Sequence, residues 1–280
     1  MTDGPLVRDR SRAARRPPKR PIGVVIGIVA LVAGVLAAVL VVAFVVLAPQ
    51  PEPSAPLADG TAVPAPTLSP SPPPPFDKAA YSLDDPTSLW VVINKLRGTN
   101  PADYEPPDLV TVPITYANYN NQLRAEAAGA LGTMEAAFFA ETGAHFQAQS
   151  AYRSYGEQSG IYDGWVASLG QEAADLTSAR PGHSEHQTGW AVDINSIPSS
   201  GCNLEPCFAD TPTAQWLKAN SWKYGFIVRY PDGKTPITGY EYEPYHMRYV
   251  GVDLATEMHD TGVETLEEFF GLPAAPDYAD

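Results

Sequence analysis

The chain has 280 residues and a formal net charge of −14 at pH 7, with 18 basic and 32 acidic side chains. So acidic a chain is a poor ligand for nucleic acid, because phosphate binding depends on Lys and Arg. No nucleic-acid partner is therefore expected.

The N-terminal segment predicts a membrane anchor. Residues 1–21 form a basic tail, and residues 22–48 contain no charged or amide side chain. At about 1.5 Å per residue, a helix over 22–48 exceeds a hydrocarbon core of roughly 30 Å. The basic flank keeps the N-terminus in the cytoplasm and places the rest of the chain outside. A cleaved signal peptide is the alternative, although its apolar region is usually only about 7–15 residues long.

A proline-rich linker is expected over residues 49–85, because eleven prolines lie between Pro49 and Asp77 and almost no large apolar residue accompanies them. Such a composition cannot build a core and stays extended. Residues 86–280 contain all five tryptophans and are long enough for one packed domain.

Hydrophobic periodicity in this domain predicts helices first and then mixed elements. A long helix is expected over residues 120–142, where Leu123, Ala127 and Leu131 follow the helical period. Alternation then predicts a strand from His145 towards Arg153, and a second helix should cover residues 158–169.

The C-terminal half predicts more strands. One begins near Gly189, a short helix starts at Thr213, and further strands cover residues 225–230 and 241–251. Terminal helices follow. Because helices are grouped around short strands without regular βαβ alternation, the fold class expected is α+β.

Cys202 and Cys207 are the only cysteines. Outside the cytoplasm such a pair favours a disulfide, which would stabilise a loop this short by roughly 2 kcal/mol. A structural zinc site would need four ligands, and no other Cys or His lies nearby in the sequence.

The stretch "SEHQTGWAVDI" places His186 and Asp193 seven residues apart across a turn and a strand start. Taken alone, this pair favours a buried hydrogen bond over a metal site. The segment "EPYHMRY" adds Glu243 and His246, and the combined set matches an open hydrolytic zinc centre. Strict alternation would put Glu243 and His246 on opposite strand faces, so we expect a bend between them.

The sequence resembles the VanY-type D-alanyl-D-alanine carboxypeptidases and their L,D-carboxypeptidase relatives. The pattern Ser-x-His-x-x-Gly-x-Ala-x-Asp is matched in full by Ser184, His186, Gly189, Ala191 and Asp193. The family's Glu-Pro-Trp-His appears with one departure, as Glu243, Pro244, Tyr245 and His246. Further matches, "NKLRGTNPADYEPPDL", "SAYRSYGEQ", "YGFIVRYP" and "HMRYVG", span nearly the whole domain.

The resemblance implies a hedgehog/DD-peptidase-like fold, in which a small antiparallel sheet carries Zn²⁺ and helices flank it. It implies His186, Asp193 and His246 as metal ligands and Glu243 as general base. It also implies that Arg153 stabilises the oxyanion. Substrate contacts are expected from Ser184, Gln158 and Tyr245, with a change in side-pocket preference where Tyr245 replaces tryptophan.

The expected function is that of a single-pass cell-membrane carboxypeptidase whose catalytic domain removes D-alanine from peptidoglycan stem peptides outside the cytoplasm. Removal of the single D-alanine of a tetrapeptide by L,D-carboxypeptidase action remains open, because both relatives share these motifs. A non-catalytic peptidoglycan-binding module of the same fold is the other alternative.

Overall fold

The computed structural model describes residues 75–279. The predicted tail and anchor, and residues 49–74 of the predicted linker, lie outside this part of the chain. Within residues 75–279, no helix combines the length and apolar character needed to cross a bilayer. Phe76 and Leu83, which the sequence assigned to the linker, pack against the cluster around Trp90. The packed region therefore extends N-terminal of residue 86.

The secondary structure is mixed. The strands are β1 (Leu109–Thr111), β2 (Gln122–Arg124), β3 (His145–Ser150), β4 (Ala191–Ile197), β5 (Phe226–Tyr230) and β6 (Glu243–Tyr249). The helices are α1 (Ala125–Thr142), α2 (Tyr155–Leu169), α3 (Gln171–Thr177), α4 (Pro212–Asn220), α5 (Thr235–Thr238), α6 (Val252–Thr261) and α7 (Leu266–Phe270). Short 3-10 turns cover Glu185–Thr188, Pro206–Asp210 and Ser221–Tyr224.

A four-stranded antiparallel sheet with strand order β3-β4-β6-β5 forms the centre of the fold, and β1 and β2 form a separate two-stranded sheet. Small antiparallel sheets combined with separate helices, without βαβ alternation, make this an α+β fold. The α+β prediction is confirmed.

Helix α1 is shorter than predicted. It begins at Ala125 rather than residue 120, because Gln122–Arg124 pairs with β1 as a strand. The apolar stripe Leu123, Leu131 and Phe138 still packs into the main core, against Phe146 of β3. The hydrophobic pattern thus predicted the buried face of α1 correctly. Where the helix begins is determined by the pairing of β2 with β1.

Helix α2 begins at Tyr155, three residues before the predicted start. Its N-cap is Ser154, whose hydroxyl accepts from the Glu157 backbone N–H, and the Glu157 carboxylate accepts from the Ser154 backbone N–H. This reciprocal capping box is a sequence-readable start signal. It sets the start of α2 directly after Arg153.

Strand β4 is buried on both faces. Trp190, Val192 and Ile194 face the main core, and Asp193 and Asn195 on the other face are also buried. β4 lies between β3 and β6, and its polar face forms the floor of the site described next.

Candidate metal centre and active site

The pairing of β3 with β4 and of β4 with β6 brings residues of the predicted site together. Asp193 on β4 lies directly opposite His246 on β6 and is also paired with Ser150 at the end of β3. Directly opposed residues in antiparallel strands have Cβ atoms only about 4.5–5.5 Å apart. Sequence positions more than fifty residues apart therefore meet at one row of the sheet.

His186 reaches this row from the loop before β4. Its 3-10 turn ends at Gly189, which has φ +70°. A Cβ at Gly189 would lie 2.9 Å from Arg124 Cγ, so the position favours glycine for both conformation and space. The backbone N–H of Arg153 donates to the His186 carbonyl at 3.3 Å and ties the turn to the end of β3.

The three side chains form a compact donor set. One ligand atom from each of His186, Asp193 and His246 lies within 4.8 Å of the others, and all three side chains are buried. His186 Nε2 is 3.3 Å from Asp193 Oδ2, and His246 Nδ1 is 3.2 Å from Asp193 Oδ1. Two imidazoles and one carboxylate form a set that suits a catalytic zinc ion.

The polar atoms of the cluster fit a cation. Asp193 Oδ1 is buried and accepts no hydrogen bond from the described residues. Although burial opposes its charge, His186 and His246 hold the pKa of the Asp193 carboxyl well below its usual range. Burial would lower the pKa of His246, but the nearby carboxylates of Asp193, Glu185 and Glu243 raise it to about 9. The cluster thus presents an ionised carboxylate between two imidazoles.

Glu243 lies beside the donor set at the start of β6. The pairing of β5 with β6 shifts register between Val228 and Tyr230, and this irregularity puts Glu243 opposite Tyr230. As expected from the predicted bend, Glu243 and His246 meet: Glu243 Oε2 is 3.4 Å from His246 Nδ1. Burial raises the pKa of Glu243 to about 7. A carboxyl group with such a pKa can both accept and donate a proton near neutral pH.

Arg153 points at the same cluster. Its guanidinium lies 4.0 Å from Asp193 Oδ2, donates to Gln158 Oε1 at 2.8 Å and donates to Ser150 Oγ at 3.1 Å. These contacts hold the Arg153 guanidinium in one orientation, beside Asp193. A held guanidinium beside a metal centre can stabilise negative charge that develops on a substrate oxygen.

Gln158 lies behind Arg153 rather than at the cavity surface. It is fully buried, and its amide nitrogen donates to Ser178 Oγ and to the Ala179 carbonyl. The expectation that Gln158 contacts substrate directly is not met by this position. Gln158 is connected to the donor set through its hydrogen bond with Arg153.

A cavity of about 600 Å³ opens over the cluster, and its lining includes Arg153, Ser184, Glu243 and Tyr245. The structure therefore brings Ser184 and Tyr245 to the cavity as expected. A second cavity of about 610 Å³ borders β5 and is lined by Trp222, Phe226 and Met258 among others, and none of the predicted site residues lines it.

Two further residues contact the cluster and were not singled out from the sequence. Tyr230 places its ring 4.8 Å from that of His246. Glu185, beside His186 in the quoted motif, approaches the far side of the His246 ring. The partners of Glu185 are 44 and 63 residues away, so sequence spacing carried no signal for it.

The two cysteines and the other three histidines make contacts away from the donor set. Cys202 and Cys207 form a disulfide, with Cα atoms 5.5 Å apart. His145, His183 and His259 lie outside the donor set: they contact Glu135, the Asn94 carbonyl and the Trp222 ring, respectively.

Comparison with known proteins gives consistent matches. The profile of the VanY family, described as D-alanyl-D-alanine carboxypeptidase, matches residues 120–252. YodJ of Bacillus subtilis, named as a carboxypeptidase, is 42% identical over 193 residues, which cover 68% of this chain and 69% of YodJ.

Solved structures agree with these matches. The LdcB LD-carboxypeptidase, described in connection with peptidoglycan recognition, has a TM-score of 0.62 and 42% identity, covering 66% of this chain and 87% of that one. A glutamate-to-alanine mutant of the vancomycin-resistance D,D-pentapeptidase VanY, in complex with Zn(II), has a TM-score of 0.52 and 31% identity. That match covers 64% of this chain and 97% of the VanY chain.

Proposed function

This chain belongs to the VanY-type family of D-alanyl-D-alanine carboxypeptidases, and on that premise we propose that it is a zinc-dependent carboxypeptidase of peptidoglycan stem peptides. It removes the terminal D-alanine outside the cytoplasm. The observation that carries this proposal is the convergence of His186, Asp193 and His246 below an open cavity, with Glu243 beside them.

His186 Nε2, Asp193 and His246 Nδ1 are the atoms that would hold the metal. Three protein ligands leave a coordination position free, which is the pattern of catalytic rather than structural zinc sites. A zinc ion held there would supply Lewis-acid chemistry, namely polarisation of the scissile carbonyl and activation of water near neutral pH. The Zn(II) complex of the related VanY mutant supports this choice of metal.

Glu243 acts as the general base and then as the general acid. Its carboxylate takes a proton from the attacking water and delivers a proton to the leaving amine. The pKa of about 7 suits both steps. Arg153 donates hydrogen bonds to the oxygen on which negative charge develops, and Gln158 and Ser150 hold Arg153 in place.

Ser184 and Tyr245 contact the polar groups of the bound peptide from the cavity wall. Tyr245 is a broad amphipathic ring, as tryptophan is, so it can shape the side pocket without altering the donor set. Its difference from the family tryptophan affects side-chain preference rather than hydrolysis.

The basic tail, the apolar segment over residues 22–48 and the disulfide support an exported catalytic domain. Disulfides persist in oxidising compartments outside the cytoplasm. The Cys202–Cys207 bond is consistent with that location. The proline-rich segment gives the domain reach from the membrane towards its polymeric substrate.

The scissile bond is the terminal D-Ala-D-Ala bond of a pentapeptide stem. An L,D-carboxypeptidase, which takes D-alanine from a tetrapeptide, is the second candidate because of the similarity to LdcB. A non-catalytic binding module would not need Glu243 or the held Arg153, so both residues favour an enzyme.

The test is to incubate the zinc-loaded full chain with a defined pentapeptide and a defined tetrapeptide and to follow the products by mass spectrometry. We expect the pentapeptide to lose one D-alanine, whereas preferential cleavage of the tetrapeptide would favour the second candidate. Glu243→Ala should abolish turnover while the protein still binds about one zinc per chain. Zinc binding without cleavage of either peptide would support the binding module instead.

A further inference from the structure

Glu185 is a buried carboxylate at the start of the 3-10 turn that carries His186. Its side chain is 0% exposed, yet it is not a member of the metal-binding set. An isolated buried charge is costly, so a carboxylate in this position needs partners.

The two carboxylate oxygens of Glu185 have different partners. Oε1 accepts hydrogen bonds from Arg229 Nε and Arg248 Nη1, each at 2.9 Å. Oε2 accepts no hydrogen bond from any residue in the described range 75–279 and lies 3.6 Å from His246 Nε2. His246 Nε2 is likewise buried and has no hydrogen-bond partner among those residues. These two unpaired polar atoms therefore face each other.

The other nitrogen of His246 faces the metal site. Nδ1 lies 3.2 Å from Asp193 Oδ1 and 3.4 Å from Glu243 Oε2. A neutral imidazole carries its proton on one nitrogen only, and the other is free to bind a metal. Metal-binding histidines usually donate the remaining N–H to a carboxylate or a carbonyl, which fixes the tautomer.

His186 has the opposite arrangement. Its Nδ1 lies 2.7 Å from the Ala151 carbonyl oxygen, which can only accept, so Nδ1 carries the proton. Its Nε2 then faces Asp193. The two imidazoles thus direct opposite nitrogens at the metal site, Nε2 of His186 and Nδ1 of His246. The other nitrogen faces the Ala151 carbonyl in His186 and the Glu185 carboxylate in His246.

Two arginines hold the Glu185 carboxylate in this orientation. Arg229 also makes two hydrogen bonds to Glu267, and Arg248 donates to the carbonyls of Leu89 and Val91. Both arginine side chains are fully buried. Their fixed positions keep Oε1 occupied and leave Oε2 directed at His246.

We propose that Glu185 is a positioning residue that keeps the proton of His246 on Nε2 and so leaves Nδ1 free for the metal. The proposal rests on the proposed function, because it assigns Glu185 a role towards the zinc ligand His246. Arg229 and Arg248 support the role by neutralising and orienting the carboxylate.

The first test is Glu185→Gln. The amide oxygen can keep the two arginine hydrogen bonds, and the amide nitrogen would then donate to His246 Nε2. That contact favours a proton on Nδ1, which is the wrong tautomer for metal binding. We expect zinc affinity, measured by competition with a chelator, to fall about 10- to 100-fold.

Glu267→Gln is the matched control. It removes one negative charge from the same buried cluster and from the same arginine, but the side-chain hydrogen bonds of Glu267 run to Arg229 and Asn94. Its zinc affinity should stay within about twofold of the unsubstituted protein. Equal losses in the two variants would assign the effect to lost charge or packing and overturn the positioning role.

The histidine tautomers can also be measured directly on the unsubstituted full chain. This measurement does not require Glu185→Gln to fold. The chain has five histidines, so ¹⁵N-histidine labelling gives few signals, and His145→Gln, His183→Gln and His259→Gln identify the three outside the site. In the zinc-loaded protein, the other two rings should carry their protons on opposite nitrogens. Protons on Nδ1 of both rings would overturn the proposal and leave the proposed function standing. Failure to bind zinc at all would overturn both.

Discussion

Glu243 and His246 are three positions apart on β6, and the register shift between β5 and β6 brings both to one cavity. The residue pattern was sufficient to predict the donor set and the need for a bend. It could not show that Gln158 lies behind Arg153, nor that Glu185 contacts His246, because both follow from contacts between distant segments. At the residue scale, the sequence thus predicted which side chains converge at the site better than it predicted which side chains support them.

Zinc binding should depend on pH because of His246. The raised pKa of about 9 means that the metal-free imidazole is protonated at neutral pH and must lose that proton when Nδ1 binds zinc. His186, whose pKa is lowered by burial, is already neutral. Apparent zinc affinity should therefore rise between about pH 7 and 9, by up to about tenfold per unit for one released proton. Chelator competition across this range measures it, and a flat profile would rule out a charged metal-free His246.

Arg153→Ala should lower kcat about 10²- to 10³-fold, because one oxyanion donor is lost. Zinc content should not change, since Arg153 is not in the donor set. Arg180→Ala is the control: Arg180 forms an ion pair with Asp175 and does not line the site cavity. Steady-state kinetics on a stem peptide distinguish the two variants. If both lose the same activity, or if Arg153→Ala loses its zinc, Arg153 does not act on the substrate oxygen.

Strands and helices were predicted mostly from local patterns. The start of α2 was predicted three residues late although its capping box is local, and the start of α1 was wrong because distant pairing decides it. The helix expected from residue 120 starts at Ala125 because Gln122–Arg124 joins β1. β4 is buried on both faces because Val192 and Ile194 pack into the main core on one side, and His186 and His246 lie against Asp193 on the other. Caps such as Ser154 with Glu157 were readable, whereas the pairing of Asp193 with His246 required the whole sheet.

The turn from His186 to β4 should tolerate no side chain at Gly189. Gly189→Ala forces a non-glycine residue to φ +70° and places a Cβ 2.9 Å from Arg124 Cγ. We expect a loss of about 1–3 kcal/mol in the free energy of unfolding, together with weaker zinc binding as His186 shifts. Thermal or denaturant unfolding with and without zinc measures both effects.

Gly160→Ala is the matched control for this change. Gly160 lies within α2, and a Cβ there would meet nothing within 4 Å. This substitution should be neutral or stabilising by up to about 1 kcal/mol, because alanine is the better helix former. An unfolding free energy for Gly189→Ala as high as that of Gly160→Ala would show that the turn does not need glycine.

The whole chain combines a predicted anchor and spacer with one packed domain. The tail, anchor and spacer predicted for residues 1–74 rest on composition alone. The domain boundary rests on side-chain contacts as well. Composition can indicate that a segment crosses a membrane or remains extended, but it does not set where packing begins. Phe76 and Leu83 contact the domain N-terminal of the expected boundary at residue 86.

Cell fractionation tests the proposed location. The full chain should sediment with membranes and resist extraction by high salt, because about 27 apolar residues insert far more firmly than a charged surface. A chain lacking residues 1–48 should be soluble and should hydrolyse a soluble stem peptide with the same kcat/KM. A full chain found only in the soluble fraction would refute the anchor.

Zinc titration into metal-free protein tests the central claim most directly. The full chain is stripped with a chelator, zinc is added back in steps, and D-alanine release from the pentapeptide is measured at each step. Activity should be absent without metal and should reach its plateau at about one zinc per chain, with no recovery in a His246→Ala variant. Undiminished D-alanine release by the stripped protein, or full recovery in His246→Ala, would contradict a metal centre built from His186, Asp193 and His246.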